Sequence, residues 1–144
     1  MARIKIELPS TFRFSTIIPI RITDLNYGGH VGNDAVLSLL HEARMKFLQH
    51  HQYAEMDFEG VGLIMSDAGI EFKSELFYGD ELKVYVAASD FARISFDLYY
   101  KMVKGSEETL VVLAKTGMIC YNYQQRKVVS VPEAAKRKLS HLQQ

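Results

Sequence analysis

The residues best suited to chemistry lie together between Asp24 and Asn33. This segment holds four polar side chains and two adjacent glycines: Asp24, Asn26, His30, Asn33, Gly28 and Gly29. Asn33 or Asp34 is expected to cap a helix that begins here, because a short side-chain oxygen accepts hydrogen bonds from the free N–H groups of the first turn. Those N–H groups and the helix dipole favour negative charge, and glycine lets a backbone approach a substrate closely. The segment therefore predicts a site that stabilises an oxyanion.

The helix that follows is predicted from one apolar stripe. Its members recur at helical spacing, as Val36, Leu37, Leu40, Ala43, Phe47 and Leu48. The pattern predicts a helix from Asp34 to about His51. At 1.5 Å per residue its length is about 27 Å, enough to cross a whole sheet.

The rest of the chain has the pattern of strands joined by short turns. Strands are predicted over residues 12–22, 61–77 with a kink at Gly69, 82–86, 94–102, 110–123 and 128–131, and a final helix over 132–142. Pro19 lacks a backbone N–H, so the first strand is expected at a sheet edge or a bulge. This order predicts an α+β domain spanning residues 1–144, in which one long helix packs on a curved antiparallel β-sheet.

Composition and charge exclude several classes of function. Seventeen basic and seventeen acidic residues leave no net charge, so we expect no nucleic-acid partner. Cys120 is the only cysteine, and its apolar strand setting predicts a buried thiol in a reducing compartment, most simply the cytoplasm. No segment has the roughly 18 continuous apolar residues of a membrane span, and no signal peptide is expected. His41, His50 and His51 lack metal-ligand spacing, so we expect exposed helix residues and no metal.

Two stretches carry a resemblance to a known family. Asp24, then Gly29-His30-Val31, then Asn33 match the pattern Asp-x-Asp-x-x-Gly-His-Val-Asn-Asn, and they are followed by Glu42-Ala43-Arg44 and by Gly79-Asp80. In these residues the chain resembles the hotdog-fold acyl-CoA thioesterases of the 4-hydroxybenzoyl-CoA thioesterase type. The resemblance implies a hotdog fold that hydrolyses an acyl- or aroyl-CoA thioester, or an acyl-carrier-protein thioester, to free acid and thiol. It implies coenzyme A as part of the substrate, no further cofactor, and a homodimer or homotetramer with sites at subunit interfaces.

The sequence departs from this pattern at Asn26, which stands where the family has its catalytic Asp, and at Gly32, which replaces the first Asn. An amide cannot act as a general base at neutral pH and is a very poor nucleophile, so the family's carboxylate mechanism does not transfer as it stands. Asn26 is expected either to orient the thioester carbonyl or a water, or to bond its own backbone. Tyr27, Gly28 and Gly29 are expected to contact the substrate.

The other loop residues each have a structural and a catalytic interpretation. His30 can act as a general base, because imidazole titrates near neutrality, or it can lock the loop by bonding a backbone carbonyl. Asp24 is expected to order the loop as a hydrogen-bond acceptor. Asn33 is expected to cap the helix, and both Asp24 and Asn33 are also candidates for substrate binding.

Two carboxylates outside the loop are candidates for the missing base. Glu42 lies about two turns into the helix, near the apolar stripe, and other hotdog thioesterases place a catalytic Glu on this helix; it can instead pair with Arg44 or with a partner chain. Asp67 stands in an apolar strand pattern, where a carboxylate often lines a cleft. It can reach the loop from a neighbouring subunit, or it can simply point outward.

Two further functions compete with thioester hydrolysis. One is a hydratase acting on enoyl thioesters, whose relatives carry Asp-x-Asn-Pro-x-His. Here five residues and no proline separate Asp24 from His30, and this spacing argues against a hydratase. The other is a non-catalytic protein that binds acyl thioesters, a possibility that Asn26 makes serious.

Overall fold

A computed structural model describes residues 2–141 of the chain. Its strands are β1 (Phe14–Pro19), β2 (Gly62–Phe72), β3 (Glu81–Ser89), β4 (Ser95–Lys104), β5 (Thr109–Asn122) and β6 (Lys127–Val128). Its helices are α1 (Asn33–His50), α2 (Glu133–His141) and a short 3₁₀ helix at Ile22–Asp24. The predicted α+β architecture is confirmed, and the predicted Leu142 end of the last helix lies outside the described residues.

All strands form one antiparallel sheet in the order β1-β3-β4-β5-β2, with β6 also paired to β5. One face of the sheet packs against α1, through fully buried side chains such as Leu82, Tyr100 and Met118. β1 lies at one edge, so the prediction for Pro19 is confirmed. β2 lies at the other edge, and no other strand in the described part of the chain pairs with its outer side.

The predicted kink at Gly69 is wrong, since the irregularity of β2 lies between Met65 and Asp67. Gly69 stays paired with Lys115. Its lack of a side chain serves packing instead, because a Cβ at this position would lie 3.1 Å from Ile6 Cδ1 of the N-terminal segment. The strand also ends earlier than predicted, at Phe72.

Helix α1 differs from its prediction in its cap and in one member of its stripe. Gly32 occupies the N-cap position, and within residues 2–141 no side chain caps the helix, so capping by Asn33 or Asp34 is wrong. Leu37 is 43% exposed, whereas Leu39 is buried. The apolar stripe is broad enough that either leucine fits the spacing, and only the position of the sheet selects Leu39.

Three buried polar side chains, Arg44, Tyr100 and Thr116, fix α1 against its surroundings. Arg44 Nε donates to Glu55 Oε2 at 3.0 Å and its Nη1 donates to the Tyr100 hydroxyl at 3.2 Å. The Tyr100 hydroxyl in turn lies 2.7 Å from Thr116 Oγ1 of β5. This chain of hydrogen bonds sets the rotation of the helix over the sheet, because an unpaired buried group would cost free energy.

Of the three histidines expected to be exposed, His41 and His50 are exposed, but His51 at the C-terminal end of α1 is buried. His51 is only 6% exposed and its ring packs edge-on against Phe47 and His50, at 4.8 Å between centroids in each case. Burial, followed by the nearby charges of His50 and Lys138, lowers the pKa of His51 from 6.5 to about 4. His51 is therefore neutral in the folded protein at neutral pH.

We expect the stability of the protein to fall in mild acid because of His51. Its pKa is lowered on folding, so between pH 6.5 and about 4 the unfolded chain binds a proton that the folded chain does not. This residue should lower the free energy of unfolding by up to about 1.4 kcal/mol per pH unit as pH falls through that window. Urea denaturation at several pH values measures this dependence. Between pH 6.5 and about 4 the free energy of unfolding should fall less steeply with decreasing pH in His51→Phe than in wild type. Equal slopes of unfolding free energy against pH in both proteins would contradict the low pKa of His51.

Candidate active site

The loop before α1 is closed by hydrogen bonds to a buried carboxylate and to its own backbone. Asp24 is buried, and its Oδ2 accepts from the backbone N–H of Arg21 at 2.8 Å. The Asp24 carbonyl accepts from the N–H of Gly32 at 3.3 Å. Asp24 is thus placed as the loop-ordering acceptor that the sequence predicts, and its carboxylate points into the protein.

The loop turns at two glycines, beside Asn26 and His30. Asn26 Oδ1 accepts from the N–H of Gly28 at 2.9 Å, which is the local backbone bond anticipated for this side chain. Gly29 has φ +86°, a left-handed conformation that favours glycine. His30 Nδ1 lies 3.1 Å from the Val31 carbonyl, which makes Nδ1 the protonated nitrogen. Its Nε2 forms no hydrogen bond with any residue that the structure describes.

Asn26 and His30 face one small space above Gly28. A Cβ at Gly28 would lie 3.2 Å from Asn26 Oδ1 and 3.8 Å from His30 Nε2. The glycine at this position therefore keeps open a gap between an amide and an imidazole. Tyr27 beside it is fully exposed to solvent in the single chain.

A cleft opens beside this loop, between the start of α1, the end of β2 and the start of β5. Its volume is about 360 Å³, and its lining is formed by His30, Val31, Asn33, Val36, residues 72–76, Val111 and Val112. Its walls combine aliphatic and aromatic side chains with polar or charged residues at His30, Asn33, Lys73, Ser74 and Glu75. The backbone N–H groups of Asn33 and Asp34 have no backbone acceptor among the described residues. Such an arrangement can hold an apolar acyl group while a carbonyl oxygen meets a helix N-terminus.

Glu42 does not share this cleft within one chain. It is 53% exposed and lines a separate depression between α1 and β1, together with Arg21 and Ser38. Its nearest cation is Lys46 at 4.0 Å. The anticipated pairing with Arg44 is wrong, because the Arg44 guanidinium is turned inward to Glu55.

Asp67 lies on the face of the sheet opposite α1. Its carboxylate accepts from Lys115 Nζ at 3.0 Å and from the N–H of Gly117 at 3.0 Å. The structure therefore matches the outward strand position that was weighed against a catalytic role. Asp67 and the loop are not brought together within one chain, and a role from a neighbouring subunit stays a prediction.

Several groups near the loop carried no signal in the sequence. Lys73 and Ser74 line the cleft because the chain leaves the sheet after Phe72, which periodicity alone does not fix.

Cys120 behaves as predicted: it is buried, and burial raises the pKa of its thiol to about 11.

Comparison with known proteins decides the family. The sequence model described as Thioesterase-like superfamily matches residues 20–139. The chain belongs to the thioesterase-like superfamily. A curated relative from Microcystis aeruginosa, named 1,4-dihydroxy-2-naphthoyl-CoA hydrolase, is 30% identical over 126 residues, which are 85% of this chain and 90% of the relative.

Solved structures agree on the fold. A 1,4-dihydroxy-2-naphthoyl-CoA thioesterase from Synechocystis has a TM-score of 0.81 at 20% identity, covering 91% of this chain and 98% of the other. A thioesterase from Thermus thermophilus, complexed with coenzyme A and Zn, has a TM-score of 0.80 at 19% identity, covering 94% and 98%. The hotdog fold and the thioesterase class predicted from the loop motif are confirmed.

Within the described residues of this thioesterase, no helix is long and apolar enough to cross a membrane.

Filling the gap above Gly28 should impair this thioesterase without unfolding it. The backbone of Gly28 is not in the left-handed region, so Gly28→Ala should keep its stability within about 0.5 kcal/mol. Its methyl group would lie between Asn26 Oδ1 and His30 Nε2, and we expect thioester hydrolysis to fall tenfold or more.

Gly29→Ala is the matched control for this substitution. Its Cβ would meet no atom within 4 Å, but its φ of +86° is unfavourable for alanine. Gly29→Ala should lower the free energy of unfolding by about 1 kcal/mol. Its loss of thioesterase activity should be smaller than that of Gly28→Ala. Unchanged turnover in Gly28→Ala would mean that the gap is not part of the site.

Proposed function

We propose that this thioesterase hydrolyses an acyl- or aroyl-coenzyme A thioester whose carbonyl binds at the N-terminus of α1. The proposal is carried by the N–H groups of Asn33 and Asp34, which have no backbone acceptor among the described residues, together with the partly apolar cleft beside them. The N–H groups stabilise the carbonyl oxygen as it gains negative charge, and the cleft orients the acyl group. Coenzyme A takes part as the leaving thiol and not as a bound cofactor.

An aromatic acyl group is the first to test. The relative from Microcystis aeruginosa acts, by its name, on 1,4-dihydroxy-2-naphthoyl-CoA. A flat aromatic acyl group suits a cleft that is walled in part by Val36, Val111 and Phe72, since apolar walls remove its ring system from water. A carrier-protein thioester with the same acyl group is the competing form of the substrate.

We assign the loop residues roles that follow from their positions. The free Nε2 of His30 and the amide of Asn26 border the gap above Gly28, where they can hold the attacking water. Asn33 lines the cleft and offers both its backbone N–H and its side chain to the substrate. Tyr27 is fully exposed and is available to a substrate or to a second subunit.

We also propose that the active form is a homo-oligomer in which two copies pair along β2. This strand of eleven residues forms one edge of the sheet, and an unprotected edge readily accepts another strand. Met65 and Phe72, on the α1 side of β2, are 42% and 50% exposed. Pairing would cover both side chains and extend the sheet.

We place the protein in the cytoplasm, which its single buried thiol supports.

The second candidate function is thioester binding without hydrolysis. It is favoured by Asn26, whose amide oxygen is occupied by the N–H of Gly28 and which cannot take a proton from water. A binding protein would retain acyl-CoA affinity without releasing free thiol, even after Asn26→Asp.

Release of free thiol from a panel of acyl- and aroyl-CoA thioesters tests the function directly. Wild-type protein should turn over at least one member, and His30→Ala should lose about 10² in rate or more because it removes a group that holds the attacking water. His41→Ala is the comparison, since this histidine is 54% exposed and bonds Glu55 outside the cleft. Tight binding of several thioesters with no thiol released by wild type would instead establish the binding protein.

The assembly can be tested by light scattering after size exclusion. Wild type should have at least twice the 16.4 kDa mass of one chain. Met65→Lys, on β2, should shift the mass towards 16.4 kDa, because pairing would bury its charge. The control is Met56→Lys, which changes a 69% exposed methionine outside the strands. A monomeric wild type, or an unshifted Met65→Lys, would contradict pairing along β2.

A further inference from the structure

Hydrolysis at the proposed site needs a group that accepts a proton from water, and the loop itself lacks an available carboxylate. The Asn26 amide cannot serve, and Asp24 is buried and occupied by the N–H of Arg21. Glu42 faces a different depression. Asp67 is bound to Lys115. Within one chain, a carboxylate that serves as the base therefore has to come from another position beside the loop.

Asp34, the second residue of α1, has a free carboxylate beside the loop. Its side chain is exposed, and no residue in the described part of the chain donates a hydrogen bond or an ion pair to it. Its Oδ1 lies against Gly32, so closely that a Cβ at position 32 would collide with it. The carboxylate thus folds back from the helix toward the loop.

A side chain at Gly32 would compete with the Asp34 carboxylate for the same space. Gly32 has φ −70° and ψ 151°, an extended conformation that every residue type adopts. The backbone therefore does not require glycine here. What a side chain at this position would meet is Asp34 Oδ1 and, at 3.6 Å, Asn26 Cβ. Gly32 lets the Asp34 carboxylate and the Asn26 side chain lie on either side of the same small volume.

We propose that Asp34 is the general base of this thioesterase, an inference that rests on the proposed thioester hydrolysis. The Asp34 carboxylate takes a proton from water as the water oxygen bonds to the thioester carbonyl carbon. The carbonyl oxygen gains the negative charge, facing the free N–H groups at the start of α1. As the carbon–sulfur bond breaks, the proton on Asp34 passes to the sulfur, and the products are the free acid and coenzyme A thiol.

A purely structural role for Asp34 makes a different prediction. A carboxylate in the first turn stabilises a helix through its dipole, and its loss would then lower stability rather than the chemical rate. Glu133 provides the matched case, because it is the acidic residue in the first turn of α2. A second comparison is Glu75, a carboxylate residue that lines the cleft on its other wall.

The test compares Asp34→Asn, Glu133→Gln and Glu75→Gln with wild type, using kcat, KM and the thermal midpoint. Asp34→Asn should lower kcat by about 10² to 10⁴, with KM changed less than about threefold. Its thermal midpoint should shift no more than that of Glu133→Gln. Glu133→Gln should keep kcat within about threefold. Glu75→Gln alters the substrate cleft, so it is expected to change KM, but it should keep more kcat than Asp34→Asn. The double variant Asn26→Asp/Asp34→Asn should have a kcat at least tenfold above that of Asp34→Asn. The reason is that it returns a carboxylate to the space beside Gly32.

The outcomes separate this inference from the proposed function. If wild type hydrolyses a thioester and Asp34→Asn does so equally well, or if Glu75→Gln carries the loss, Asp34 is not the base although the function stands. If Asp34→Asn is slow but the double variant recovers nothing, the carboxylate does not act in the volume beside Gly32, and the inference is overturned. If wild type releases no thiol from any thioester, the proposed function itself fails.

Discussion

The candidate site depends on the closure of the loop between Asp24 and Gly32. The backbone of this loop has few partners outside itself, so its shape is set by the buried Asp24 carboxylate and by hydrogen bonds between its own peptide groups. One further bond, from the Val31 N–H to the Leu76 carbonyl at 2.8 Å, joins the loop to the segment that leaves β2. Because the first N–H groups of α1 begin where this loop ends, any opening of the loop would also displace the proposed oxyanion site.

A second constraint holds α1 in place over the sheet. The buried guanidinium of Arg44 bonds Glu55 on one side and the Tyr100 hydroxyl on the other. These contacts lie more than two turns from the loop, but they decide how the helix is rotated and therefore where its first turn points. The cleft between the helix start and the end of β2 follows from both constraints together.

Much of the fold could be predicted from the sequence because it depends on periodicity. The bounds of α1 and the alternation of β3 and β4 follow from which positions are apolar. The bulge at Met65–Asp67 and the burial of Leu39 rather than Leu37 could not, since they depend on how elements meet. The motif located the loop correctly. It did not reveal that Arg44 turns inward to Glu55, nor that the Asp34 carboxylate folds back over Gly32, because side-chain direction at a helix start is decided in three dimensions.

The central claim, that the thioester carbonyl binds at the start of α1 in the loop cleft, is tested most directly by a crystal structure. The protein would be crystallised with a naphthoyl-CoA analogue in which a methylene group replaces the thioester sulfur, so that it cannot be hydrolysed. We expect the ketone oxygen to lie within about 3.2 Å of the backbone N of Asn33 or Asp34, with the ring system against Val36 and Phe72. An analogue bound in the depression beside Glu42, with its ketone oxygen away from the helix N-terminus, would contradict the account.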